Sequence, residues 1–364
     1  MTPPSTAADF FSADYASARA RFRSAAGAAS ATLHVLALDA KGPAGEELTI
    51  DIAWLGQPDA RRILLHSSGL HGVEAYTGSA VQLAVLAEQR AVPAGCAIVL
   101  VHVLNPYGMA WLRRANENNV DLNRNFLAEN ERWRGAPEIY DRIDPILNPP
   151  TPPGRDFFYL RALWQTWRHG FRPLKQAVAR GQYEYSRGLF FGGRTLEQGP
   201  RLYLDWVQEH LSCARYVFAL DVHTGLGRWG EDTLLLEAGT GATPVEQLSA
   251  ALNHALVDVN ADPDVAYEVR GGMGAGLARV FSNVPADFVL QEIGTYSPFA
   301  VFHALREENR LHHYGVSTLD HPAKRKLLER LCPASTRWRA RALGRGVRLA
   351  QRAAAWAFSG RHAN

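Results

Sequence analysis

Four short apolar runs, spread widely along the chain, constrain its fold more than any other feature. They are RRILLHSSG (61–69), CAIVLVHVLNPYG (96–108), RYVFALDVHTG (215–225) and DFVLQEIGTY (287–296). Each is near-continuously apolar rather than alternating, the pattern of a strand buried on both faces. Helix-like stretches such as GSAVQLAVLAEQ and LEQGPRLYLDWVQEHL fall between them. Strands alternating with helices predict an α/β fold: a mixed, largely parallel central sheet with helices on both faces, an α/β/α sandwich. Upstream, residues 8–27 read as a helix. TLHVLAL and ELTIDIAWLG flank the turn-rich DAKGPAGE, which predicts a hairpin.

All four runs end in polar chemistry. The first leads to His71 and Glu74, the second to NPYGMAWLRRANENNVDLNRN, the third to His223 and the fourth to Glu292. Open α/β sheets gather their sites at the carboxyl ends of strands, so these four ends are expected to converge. His71 and Glu74 stand three apart in HGVE, a spacing that puts both on one face of a helical turn. A histidine nitrogen and a carboxylate can then share one ion. A catalytic zinc takes three protein ligands and keeps one position open, and His223 is placed to be the third. By itself HxxE is a weak pattern in a chain with 13 histidines. Its bland alternative is a loop histidine beside a glutamate that opens a helix. His66 and His102 lie within strands and read as core histidines satisfied by hydrogen bonds.

Taken together, HGVE, RANENNVDLNRNF, LDVHTG and LQEIGT resemble the M14 metallocarboxypeptidase superfamily, and within it the DUF2817 branch. The resemblance covers roughly residues 60–315 in motif order and implies a zinc-carboxypeptidase-like fold. It implies that His71, Glu74 and His223 bind one Zn2+ per chain, with Asp121 supporting the first histidine. It also implies that Asn123 and Arg124 hold a substrate carboxylate, that Arg114 polarises the scissile carbonyl with Arg113 as its neighbouring rival, and that Glu292 is the catalytic glutamate. Tyr296 is the nearest candidate for the family tyrosine that closes over the substrate. The implied activity is zinc-dependent hydrolysis of an amide next to a free carboxylate, as in removing the C-terminal residue of a peptide. The alternatives are an N-acyl-amino-acid amidohydrolase of the aspartoacylase type and a non-catalytic metal-binding relative.

Composition narrows the partners. The chain has 364 residues, 47% apolar and 21% charged, enough for a sizeable core. A formal charge of +3, from 39 basic against 36 acidic residues, is too balanced to make nucleic acid the expected partner. The 3 cysteines contain no CxxC pair, which argues against a thiolate zinc site or a disulfide framework. No basic-then-apolar leader and no run of about 18 apolar residues is present, so the expected location is the cytoplasm. No G-x-S-x-G elbow supports a serine hydrolase. One domain over 1–364 is expected, with an insertion around 127–200 that contains the proline-rich ILNPPTPPGRD. RGGMGAGLA (270–278) reads as a glycine-rich mobile loop. In the basic C-terminal helix around 335–358, Arg337, Arg341, Arg345, Arg348 and Arg352 share one face, and Gly344 and Gly346 weaken the helix. Such a stripe is either the solvated side of a packed helix or a contact for an anionic surface. Oligomeric state is unreadable.

Overall fold

The computed structural model describes residues 6–88, 90–236, 241–258 and 269–360. Among these, the strands are β1 (Thr32–Lys41), β2 (Glu47–Gly56), β3 (Arg62–Ser68), β4 (Cys96–His102), β5 (Tyr216–Gly225), β6 (Asp232–Leu236), β7 (Leu256–Asp258) and β8 (Ala286–Gly294). They form one sheet in the order β1-β2-β4-β3-β5-β8-β6-β7. The four apolar runs become β4, β3, β5 and β8, which are adjacent and mutually parallel. The β1–β2 hairpin pairs antiparallel and joins the sheet antiparallel at β4, while β6 joins antiparallel at β8.

The helices are α1 (Tyr15–Ala28), α2 (Ala75–Ala87), α3 (Pro106–Ala110), α4 (Glu138–Leu147), α5 (Phe158–His169), α6 (Phe171–Ala179), α7 (Gln198–Leu211), α8 (Val245–Leu252), α9 (Met273–Val280), α10 (Pro298–Tyr314), α11 (Pro322–Leu331) and α12 (Thr336–Phe358). The helix expected over 8–27 begins at Tyr15. Asp14 caps it by accepting from the Ser17 N–H at 2.7 Å, and Ala7–Phe10 forms a separate 3-10 turn. Alternate residues of the inner strands serve two layers. Leu64, Phe218 and Leu220 pack with Leu349, Ala353 and Trp356 of α12, whereas Leu65, Val217 and Ala219 belong to the core that takes in Tyr203, Trp206 and Val207 of α7.

Two departures from the sequence reading matter for the site. The 127–200 segment carries α4, α5 and α6, and its proline-rich loop is held from below by α10. There Arg310 donates to Thr151 O (3.0 Å) and Pro152 O (2.5 Å), and Arg306 donates to Ile146 O (2.7 Å) and pairs with Asp156. Residues 270–278 are largely α9 instead of a loop, with Gly272 at its N-cap. At the C-terminus, α12 buries Trp338, Ala342, Leu349, Ala353 and Trp356. Arg345 pairs with Asp232 at 2.5 Å, and Arg352 donates to Leu252 O at 3.0 Å. Much of the basic stripe is therefore tied to the protein's own surface.

Candidate metal centre and active site

β3 ends at Ser68, and the chain turns through His71 into a 3-10 turn, Gly72–Glu74, that runs on into α2. The loop that follows β4 and α3 pins this turn: Gly72 and Val73 donate to the carbonyls of Arg114 (3.1 Å) and Arg113 (2.8 Å). The approach is so close that a Cβ on Gly72 would stand 2.2 Å from Gly108 Cα, so the turn needs glycine there. His223 arrives from the end of β5, in register with Glu292 on β8.

The fold thereby brings His71, Glu74 and His223 together, all buried. His71 Nδ1 lies 3.1 Å from Glu74 Oε1 and 3.0 Å from His223 Nδ1, and His223 Nδ1 lies 3.3 Å from Glu74 Oε2. Ligands about 2.0–2.2 Å from a tetrahedral zinc stand roughly 3.3 Å apart, so this spacing fits one ion. The far nitrogen of each ring meets a buried carboxylate: His71 Nε2 is 3.2 Å from Asp121 Oδ1, and His223 Nε2 is 2.5 Å from Asp221 Oδ2. A proton held on each Nε2 turns the Nδ1 lone pair toward the shared point.

Charge agrees with geometry. Burial works against a charged His223, yet Asp221 and Glu74 raise its pKa well above the ordinary value. Burial likewise opposes ionisation of Glu74, and the two imidazoles still hold its carboxyl far below the usual range. Asp121 is held well below its usual value against burial, chiefly by Arg114 and Arg124. Carboxylates gathered around two imidazoles favour positive charge at this point, and the three residues could hold a metal ion.

Arg114 lies across this cluster. It donates to Glu74 Oε1 (3.1 Å) and Asp121 Oδ2 (3.0 Å), and its Nη2 is 2.7 Å from His71 Nε2. One nitrogen cannot donate to Asp121 and accept from Arg114 at once. An ion held through Nδ1 would leave the Nε2 proton to Asp121, and the Arg114 contact with that nitrogen would then no longer be a hydrogen bond. Asn123 Oδ1 accepts from the Met273 N–H at 3.0 Å, at the start of α9. Arg124 donates to Asn123 O at 2.8 Å and to Ala179 O, and its Nε is buried without a partner among the described residues. Glu292 accepts from the Leu226 N–H at 2.8 Å. Burial, followed by the charge of Glu74, pushes its carboxyl up to about 7.

His71, Glu74, Arg114, Asn123, Arg124, His223 and Glu292 line one cavity of about 680 Å3. Arg113 and Tyr296 are not among its lining residues. The Arg113 guanidinium is buried against Glu308 (3.0 Å) and Asn119 (2.7 Å), and Tyr296 donates to Glu329 (2.6 Å) beneath Arg330. A structural anchor explains Arg113 better than a substrate contact does. Asp221 escaped the sequence reading, although it stands two before His223 on the same face of a strand. That alternation was the available signal.

The family described as "Protein of unknown function (DUF2817)" matches residues 11–345. No curated protein matches the sequence. Among solved structures, the carboxypeptidase A from Helicoverpa armigera is similar at 15% identity and a TM-score of 0.51, covering 95% of this chain and 74% of that one. The murein-tripeptide amidase MpaA from Escherichia coli O157 is similar at 19% identity and a TM-score of 0.40, covering 76% of this chain and 91% of that one.

Proposed function

This chain belongs to the DUF2817 family, and from that premise and its buried His–Glu–His cluster we propose that it is a zinc-dependent hydrolase that cleaves an amide bond next to a free carboxylate. One observation carries the reading: three potential ligands from two distant segments meet in a cavity that also holds a half-buried glutamate and two arginines. The fold shared with a carboxypeptidase A agrees with it.

His71, Glu74 and His223 would hold the ion, and Asp121 and Asp221 fix the imidazoles from behind. A zinc ion held there would supply Lewis acidity, polarising a carbonyl and acidifying a water. Arg124 and Asn123 receive the substrate carboxylate. A guanidinium fork matches its two oxygens, and Asn123 adds a neutral donor. Arg114, which lines the same cavity, faces the developing oxyanion, and the loss of one such donor typically costs about 100- to 1000-fold. Glu292 takes a proton from the attacking water and returns it to the leaving amine. The substrate is either a peptide losing its C-terminal residue or an N-acyl amino acid.

Glu292→Gln keeps the shape and removes the base. The variant is expected to retain zinc and to lose about 100- to 10,000-fold in kcat. Near wild-type hydrolysis by this variant would sink the assignment of Glu292.

A further inference from the structure

The cavity has two unlike halves. Most of its polar lining comes from the strand ends, Arg114 and the 121–124 turn. Much of the remaining wall comes from α4, α5, α6 and the start of α10, through residues such as Ile143, Leu147, Phe158, Val178, Phe302 and Leu305. A volume of about 680 Å3 corresponds to roughly twenty waters at ~30 Å3 each, about twice the heavy atoms of the largest amino-acid side chain. A C-terminal side chain alone leaves much of that space empty.

The chemistry of the wall discriminates further. Further peptide residues would bring backbone N–H and C=O groups against aliphatic and aromatic carbon, where each unpaired group carries a desolvation cost. A hydrocarbon chain brings no such group. Among the described residues, the polar side chains on this wall are Gln165 and Thr166 of α5 and Lys175 of α6, and the Thr166 hydroxyl is already bound to Ala162 O at 2.8 Å.

The other side of α5 extends the pattern. The helix lines the cavity with Phe158 and Ala162, yet Leu160, Leu163 and Trp167 are 66%, 64% and 82% exposed, as is Phe157 before it at 78%. Arg155, Arg161 and Arg168 stand exposed among them. A helix apolar toward both cavity and solvent, set among cations, suits the approach of an anionic amphiphile.

We propose that the substrates are long-chain N-acyl amino acids, with the carboxylate at Arg124 and the acyl chain in the space walled by α4, α5, α6 and α10. This rests on the hydrolase reading above and narrows its substrate. Water's oxygen bonds to the acyl carbon, the C–N bond breaks, and a water proton passes through Glu292 to the amine. The products are a long-chain carboxylic acid and a free amino acid.

The test is calorimetric binding of N-acetyl-, N-octanoyl- and N-dodecanoyl-L-alanine, below their aggregation thresholds, to the full-length zinc-loaded Glu292→Gln protein. Dodecanoyl-alanine is expected to bind at least about 100-fold more tightly than acetyl-alanine, a modest share of what burying ten methylenes can supply. Ala162→Trp, which places an indole in the cavity, is expected to cut that ratio at least tenfold. Equal affinity across the series, or tighter binding of a tetrapeptide ending in phenylalanine, overturns the proposal. So does a chain-length ratio that survives Ala162→Trp. Wild-type turnover of the same compounds separates the two claims. Chain-length-dependent binding without turnover removes the hydrolase reading and leaves the acyl pocket standing, and turnover without chain-length dependence does the reverse.

Discussion

Asp221 shows how one side chain sets a site it never has to touch. It is buried, accepts from Ser67 Oγ at 2.6 Å, and holds His223 Nε2 at 2.5 Å. Losing it frees the ring to rotate or change tautomer. Asp221→Ala is therefore expected to weaken zinc affinity about 10- to 100-fold, as such supporting carboxylates do. Competitive chelator titration reads this directly, and unchanged affinity would contradict the role given to Asp221. At this scale the sequence was legible wherever a residue type is rare in its setting. His223 and Glu292 stand out because charged or basic groups seldom sit near the end of an otherwise apolar inner strand. Arg113 and Arg114 are indistinguishable on paper, because adjacent side chains diverge and only Glu308, 195 residues away, decides which one turns inward.

The elements repeat that lesson. β3, β4, β5 and β8 were readable because continuous apolar runs have few other uses. The short β6 and β7 were not, since a run such as DTLLL carries too few residues for a period. The three helices of the 127–200 segment were hidden by prolines, and what orders the loop between α4 and α5 is the pair Arg306 and Arg310 on a helix far along the chain. α12 offers a sharper case. Gly344 and Gly346 argue against a helix by propensity, yet the helix runs through both. A Cβ on Gly346 would lie 2.4 Å from Val81 Cγ2 of buried α2, whereas one on Gly344 would meet first the end of the Arg348 side chain at 3.0 Å. Gly346→Ala is expected to destabilise despite better propensity, because overpacking a tight crossing costs about 1–3 kcal/mol. Gly344→Ala is expected to be neutral or to stabilise by up to about 1 kcal/mol. Thermal unfolding of the two variants side by side would contradict this packing if the order were reversed.

At the scale of the molecule, buried histidines away from the ion site tie stability to pH. Burial lowers both His66 and His102 to about 4, and the latter stacks on Phe22 at 4.5 Å with Ser79 Oγ at 2.9 Å. A histidine whose folded pKa is depressed favours the native state above its unfolded value of about 6.5, and that advantage is lost as pH falls from there toward 4. Replacing His102 by Gln removes its share. The stability gap between wild type and His102→Gln is expected to shrink by about 2 kcal/mol between pH 7.5 and pH 5 in urea unfolding; a constant gap would contradict a neutral buried imidazole. The whole chain is also what assembles the candidate metal centre, since 152 residues separate His71 from His223 and the β3–β5 pairing brings their strands together. The most direct test is the metal content of purified wild type, His71→Ala and His223→Ala after zinc loading and removal of excess. The account predicts about one zinc per chain in wild type and its loss in both variants. A wild type that holds no zinc, or variants that keep it, would contradict it.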